Sequence, residues 1–335
     1  MRTLVTGGAG YIGSHVCVEL LMRGHEVVVV DDFSNSKHEV INRIRRITGK
    51  SVEFHKLNLM DRKGLSKLIS ESGCKAIMHF AGFKAVGESV TYPLKYYQNN
   101  IEGTVNLLIA MQQTSIQQFV FSSSATVYGE NDDVPFSENH PLKATNPYGR
   151  TKLFIEEILQ DYQTANPDVS VSILRYFNPV GAHYSGLIGE DPLGTPNNLM
   201  PIISRVAVGS VPEMQVFGND YPTPDGTCVR DYIHVMDLAD GHIKVLEKKQ
   251  EQPGCHVYNL GTGKGTSVLE MIKEFESATG CSVKYAISSR RPGDIPVSFA
   301  AVDKAARELG WKAEKSVSDM CRDTWNWQSR NPSGY

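Results

Sequence analysis

Thr6-Gly7-Gly8-Ala9-Gly10-Tyr11-Ile12-Gly13-Ser14-His15 is the stretch that decides what this chain builds. The apolar pair Leu4-Val5 leads straight into it, which reads as a short strand over 1–6. Beyond it Ile12, Val16, Leu20 and Leu21 recur at helical spacing, and Gly24 closes that helix. Its glycines fit G-x-x-G-x-x-G at Gly7, Gly10 and Gly13, and G-x-G-x-x-G at Gly8, Gly10 and Gly13. Glycines at these points allow a tight turn, close approach to a pyrophosphate and close packing of helix on sheet. A glycine turn in an ordinary α/β unit would share the pattern, so the flanks have to decide. They agree: a second apolar strand over 26–30 ends in Asp31-Asp32, an acid placed for ribose hydroxyls. An acid there repels a 2′-phosphate, so NAD is expected over NADP.

Outward from that turn, strand and helix patterns alternate. Strands are expected at 52–55, 76–80, 118–122 and 170–175, with helices near 37–48, 62–72, 93–113 and 147–165. That rhythm predicts an α/β fold, a Rossmann-type doubly wound parallel sheet with helices on both faces. Ligands of such sheets bind beyond the carboxyl ends of the strands, where Asn58, residues 80–84 and Ser122 to Ser124 fall. After Asn178 the texture turns rich in glycine and proline. We therefore expect an NAD-binding domain over 1–177 and a smaller mixed α/β substrate domain over 178–335, with segments inside 235–261 returning to the first.

Tyr148 is the only one of 14 tyrosines with a lysine four residues on, Lys152. In a helix the two share a face, and an ammonium beside a phenol favours the phenolate. Taken alone, the pair is better explained by two solvated helix residues. Asn146-Pro147 in front of it is a helix start, Asn as N-cap and Pro at the first helical position, so both residues ride the first turns of one helix. Beside a nucleotide crevice, the pair reads as a proton-transfer device.

Other motifs carry less. The run Gly261-Thr262-Gly263-Lys264-Gly265-Thr266 lacks the leading glycine of a phosphate loop and reads as a turn. Ser122 to Ser124 lie outside any G-x-S-x-G elbow, which argues against a hydrolase. The 10 histidines form no H-E-x-x-H pattern, so no metal site is expected, and His79 reads as a core residue. A net charge of −3 offers no basic face for nucleic acid or membrane, and no apolar run approaches a membrane span. With a first strand starting at residue 2 and six scattered cysteines, we expect a cytoplasmic enzyme with reduced thiols and no signal peptide.

Residues 6–13, Asp31, Ser124 and Tyr148-x-x-x-Lys152 together resemble the extended short-chain dehydrogenase/reductase family. The likeness narrows to members acting on UDP-hexoses. It is carried by Phe121-Ser122-Ser123-Ser124-Ala125-Thr126-Val127-Tyr128-Gly129, by residues 79–89, 174–182, 196–201, 217–222, 225–227 and 229–241, and by Arg290-Arg291-x-Gly293-Asp294. The resemblance implies inversion at C4 of a UDP-hexose through transient oxidation by bound NAD. Tyr148 would take the hydroxyl proton, Lys152 would lower the tyrosine pKa and hold the nicotinamide ribose, and Ser124 would bond the reacting oxygen.

By the same resemblance NAD would lie against Gly7, Gly10, Tyr11, Ile12, Gly13, Asp31, Asp32, Asn35, Ser36, Asn58, Leu59, Phe80, Ala81, Gly82, Lys84, Asn99, Tyr148, Lys152 and Phe177. The UDP-sugar would be held by Ser124, Tyr148, Asn178, Asn198, Leu199, Phe217, Arg230, Arg291, Asp294 and Ser298, the two arginines meeting the diphosphate. Two positions depart from the family pattern. Asn58 stands where an Asp is common near the adenine, and Ser298 is small where some members carry Tyr, leaving room for an N-acetyl group. Related dehydratases carry an Asp-Glu pair after the catalytic hydroxyl, where this chain has Ala125-Thr126. A decarboxylase of UDP-sugar acids and a non-catalytic NAD sensor are the remaining alternatives. The family also implies a homodimer, through helices near 93–113 and 153–165.

Overall fold

The glycine turn sits where its flanks place it. β1 (Arg2–Thr6) runs into it and α1 (Tyr11–Met22) leaves it, with Gly10 as N-cap. The computed structural model describes residues 1–130, 133–194, 196–291 and 293–335. Gly7 takes φ +69°, and a Cβ on Gly13 would stand 2.3 Å from the Gly7 carbonyl oxygen, so no side chain fits there. Val27 to Val30 make β2 (Glu26–Asp31) apolar on both faces, the pattern of a strand covered on both sides.

β3 (Glu53–Lys56), β4 (Ala76–His79), β5 (Gln118–Ser124) and β6 (Ser170–Tyr176) follow, and the Gly254–Leu260 strand completes a seven-stranded parallel sheet. Its order is 254–260, β6, β5, β4, β1, β2, β3, a doubly wound arrangement with the reversal between β1 and β4. In register, Thr6 pairs with Val30 on one side and with His79 on the other. The carboxyl ends of β1, β2 and β4 therefore finish level with one another.

The chain divides into two compact units. The first comprises Met1–Gly129, Pro141–Arg175 and Ala239–Tyr258, and the second Glu130–His140, Tyr176–Leu238 and Asn259–Tyr335. The first has its core in Leu4, Val28, Ile77, Leu107, Phe119, Ile155 and Ile173. In the second, short strand pairs such as Asn178–Val180 with Tyr232–His234 and Met214–Phe217 with Tyr285–Ser288 accompany helices Leu199–Ala207, Val268–Thr279 and Val317–Arg330. Met200, Ile203, Met271, Phe275 and Met320 fill its core.

One predicted element differs. The stretch 93–113 is not one α-helix: Pro93–Tyr96 is α-helical, Tyr97–Glu102 is a π-helix and Gly103–Met111 is α-helical again. Within the π turn sits Asn100, whose side chain reaches partners on other elements. It accepts from Phe83 N (2.8 Å) and donates to Phe83 O (3.0 Å) and to Thr151 Oγ1 (3.1 Å). A π turn of this kind commonly marks a functional site.

Candidate active site

Ser124, Tyr148 and Lys152 meet inside the first unit. The Pro147–Ala165 helix starts as its sequence predicts, with Pro147 at the first position and the Asn146 side chain accepting from Gly149 N at 2.9 Å. Such a cap stabilises the helix by about 1 kcal/mol. Tyr148 is thereby fixed at its mouth, its own N–H donating to Ser89 Oγ at 3.2 Å. Ser124, the last residue of β5, stands beside the Tyr148 phenol, where its hydroxyl favours the ionised form, and it accepts from Thr126 Oγ1 at 3.0 Å.

Lys152 is 6% exposed. Its Nζ donates to Ser122 O at 2.6 Å and stands 4.8 Å from the Phe121 ring centroid and 5.9 Å from that of Tyr148. Burial pushes the Lys152 ammonium down to about 8, with the Glu156 carboxylate pulling the other way. Burial also raises the Tyr148 phenol above its usual value, against the Ser124 hydrogen bond. Lys152 alone therefore does not bring the phenol down to neutral pH, because its charge is turned to the Ser122 carbonyl and desolvation dominates.

The residues around the glycine turn fit a dinucleotide. α1 begins on Gly10 with no side-chain cap and no acid in its first turn, which suits a pyrophosphate. A Cβ on Gly7 would stand 2.7 Å from Ala81 N, so the turn and the segment Phe80-Ala81-Gly82 approach backbone to backbone. Asp31 is 9% exposed and braces this floor: its carboxylate accepts from Ala9 N (3.0 Å), Phe33 N (2.9 Å) and Ser36 Oγ (2.8 Å). Phe33 holds φ +62°, a strained value for a bulky residue, beside that acid. Asn58 donates to Asp32 Oδ2 at 2.6 Å and accepts from Met60 N at 2.8 Å. Its amide thus neighbours a carboxylate that a second acid would repel. Leu59 packs on the core, Asn99 donates to Asn100 Oδ1 at 3.0 Å, and Asn35 and Lys84 lie at the surface.

The remaining expected residues belong to the second unit. Phe177 is buried against Phe136, and Asn178 donates its N–H to Asp231 O at 2.9 Å. Asn198 precedes the Leu199–Ala207 helix and donates to Glu190 Oε1 at 2.8 Å, with Leu199 opening that helix. Arg230 and Ser298 pair directly on adjacent strands, with Ser298 8% exposed. Arg291 makes a fork to Asp294 (2.8 and 3.2 Å) and lies over the Phe217 ring at 5.6 Å.

Two residues escaped the sequence reading. Asn100 ties the 80–84 segment to the helix carrying Tyr148 and Lys152; the signal was two asparagines inside a supposed helix, poor helix formers both. The other is Asp231, fully buried, whose carboxylate accepts from Thr262 N, Thr262 Oγ1, Gly263 N and Ala300 N. It occupies the amides of the Gly261–Thr266 turn that a phosphate would otherwise want. Among the described residues no cluster of three or more His, Cys, Asp or Glu suits a metal ion.

A doubly wound parallel sheet with a glycine pyrophosphate turn and a serine–tyrosine–lysine trio defines a nicotinamide-dependent enzyme of the short-chain dehydrogenase/reductase type. A family model described as GDP-mannose 4,6 dehydratase matches residues 4–324. The UDP-glucose 4-epimerase of Bacillus subtilis (strain 168) is 57% identical over 335 residues, covering 100% of this chain and 99% of that one. Among solved structures, UDP-glucose 4-epimerase from Stenotrophomonas maltophila, with bound NAD and formylated UDP-arabinopyranose, matches at TM-score 0.97 and 54% identity over 99% of both chains. The Bifidobacterium longum enzyme in complex with NAD+ and UDP matches at TM-score 0.97 and 50% identity over 100% of both. The chain belongs to the UDP-glucose 4-epimerases, within the extended short-chain dehydrogenase/reductases.

Proposed function

We infer that this protein interconverts UDP-galactose and UDP-glucose. The observation that carries the reading is the Tyr148 phenol beside Ser124 with the buried Lys152 one turn on, and Ala125-Thr126 instead of acids after that serine. In the forward direction Tyr148, as phenolate, takes the C4 hydroxyl proton, and Ser124 holds that oxygen and relays its proton. When bound, NAD supplies a hydride acceptor for C4, a positive charge that favours the phenolate, and the same hydride back to the opposite face of the 4-keto sugar. Tyr148 then returns the proton to the C4 oxygen, so the cycle is redox-neutral. Lys152 holds the nicotinamide ribose while its charge supports the phenolate. Elimination of water would need an acid and a base after Ser124, and Ala125 and Thr126 provide neither.

NAD would be held through the glycine turn, Asp31, Asp32, Asn35, Ser36, Asn58, Leu59, the 80–84 segment, Asn99 and Phe177. The second unit would hold the UDP-sugar through Asn178, Asn198, Leu199, Phe217, Arg230, Arg291, Asp294 and Ser298. Purified protein given UDP-galactose and no added NAD should form UDP-glucose in a coupled dehydrogenase assay; no conversion with cofactor demonstrably bound would refute the reading. A second substrate class rests on Ser298, a side chain much smaller than the Tyr that some family members carry there, which would make room for a C2 N-acetyl group. UDP-N-acetylgalactosamine should then turn over, and a complete absence of product would end that extension.

The protein acts as a homodimer in this reading. Val90, Tyr92, Leu94 and Phe154, large apolar residues exposed on the first unit in and next to the helices expected to pair, support it. Sedimentation should give twice the chain mass. All six cysteines are free thiols, which suits a reducing cytoplasm. No described helix is long and apolar enough to cross a membrane.

A further inference from the structure

Behind the catalytic trio lies an ion pair that the chemistry does not use. Glu156 is 0% exposed and Arg175 3%. Arg175 Nε meets both Glu156 oxygens at 3.1 Å and its Nη2 meets Oε2 at 2.6 Å. The same carboxylate accepts from Ser123 Oγ, while Arg175 Nη1 donates to Tyr128 Oη at 3.2 Å. A buried ion pair is a poor way to stabilise a core, since apolar residues of equal volume often do as well or better. Its placement suggests another use. Tyr148, Lys152 and Glu156 follow one another at intervals of four on one helix, and the last two are bonded to consecutive residues of β5, with Tyr148 beside the next one, Ser124. Lys152 donates to the Ser122 carbonyl and Glu156 accepts from the Ser123 hydroxyl.

We propose that the Glu156–Arg175 pair is the positioning device of the catalytic trio, locking the helix of Tyr148 and Lys152 in axial register with the Ser122–Ser124 end of β5. The proposal rests on the reading of Tyr148 and Lys152 as the proton-transfer pair. A slip of the helix would take Lys152 from the Ser122 carbonyl and Tyr148 from beside Ser124 at once, since these residues ride the same two rigid elements as the Glu156–Ser123 bond. The forked Arg175, anchored on β6, fixes Glu156 in a way that a single-point contact would not.

The carboxylate also acts on Lys152 as a charge. Around that ammonium stand Tyr148 and Glu156 from its own helix, the Ser122 carbonyl and Phe121 ring from β5, and His79 from β4, which burial and Lys152 hold neutral near pKa 3. Arg175 lies beyond Glu156. Glu156 is thus the anion that opposes the desolvation of Lys152, and its removal favours the neutral amine.

The test is the double variant Glu156→Gln, Arg175→Met, which removes both charges and leaves no unpaired ion in the core. It should fold with NAD bound and keep KM for UDP-galactose. Its kcat should fall on the order of tenfold or more, and the alkaline limb of kcat should move down by about one pH unit. Wild-type kcat with an unmoved limb would overturn the proposal. If the double variant does not fold, Glu156→Asp decides, keeping the charge and shortening the reach: the limb should stay in place while kcat falls several-fold, and unchanged kcat would overturn it. Tyr148→Phe assayed alongside separates the two claims, because turnover by that variant would sink the underlying proton-transfer reading rather than the positioning.

Discussion

The two units equip their sites in opposite ways. In the first, Ser124, Tyr148 and Lys152 are held by bonds inside the chain, on a strand and a helix whose contact faces are buried. In the second, Arg291 is 54% exposed at its side chain and bonded to Asp294 only three residues away, and Phe217 beneath it is 40% exposed. An exposed pair of this kind is worth about 0–1 kcal/mol, so on the proposed reading Arg291 could turn toward a diphosphate at little cost. On the proposed reading the proton-transfer groups are thus organised before a substrate arrives, while the diphosphate grip is left for the substrate to organise. That division suits catalysis, since reacting groups lose rate when misplaced and a binding arm does not need to be rigid in advance.

The sharpest way to break this contrast is Tyr148→Phe. Turnover should fall by about 10³-fold or more with NAD still bound, measured by coupled assay and by absorbance of the isolated protein. A modest loss would show that the first unit is less committed than its bonds suggest. Arg291→Ala probes the second unit and should raise KM for UDP-galactose about tenfold with kcat little changed. Arg291→Lys should restore only part of it, because an ammonium lacks the fork. A fall in kcat instead would mean that the grip is itself part of the organised chemistry.

Acid provides a third, smaller effect. His79 in the first unit is held near pKa 3 and His183 in the second near 4, both by burial, below the ordinary value of 6.5. The unfolded chain therefore binds more protons between these values, and stability present above pH 6.5 is lost as pH falls. The melting temperature should drop from pH 7 to pH 5, and His79→Gln, able to bond both Thr6 and Thr104, should flatten that slope. An equally steep slope in the variant would place the acid sensitivity elsewhere. Smallest of all is Asn58→Asp, which sets a carboxylate beside Asp32 at the surface. Its melting temperature should fall by no more than about 2 °C.

Legibility in the sequence follows the same divide. The glycine turn, β2 with its terminal acid and the Asn146-Pro147 helix start are local patterns, and each formed where its residues predict. The pairing of Ser124 with Tyr148 is long-range and was available only through resemblance. Asn100 stayed hidden because it bonds Phe83 in the loop after β4 and Thr151 in the helix that carries Tyr148, which no periodicity reveals. The Glu156–Arg175 pair was hidden for the same reason, 19 residues apart on a helix and a strand. In the second unit, short strands of two to four residues carry too little pattern to read, so its site residues came entirely from the likeness to known enzymes.

The central claim is that one hydride leaves C4 and returns to it while Tyr148 handles the proton. UDP-galactose carrying deuterium at C4, incubated with the purified protein in ordinary water, tests this directly by mass spectrometry and NMR of the product. The account predicts UDP-glucose with the deuterium still at C4. Loss of the label to solvent, or a product lighter by one water, would contradict it.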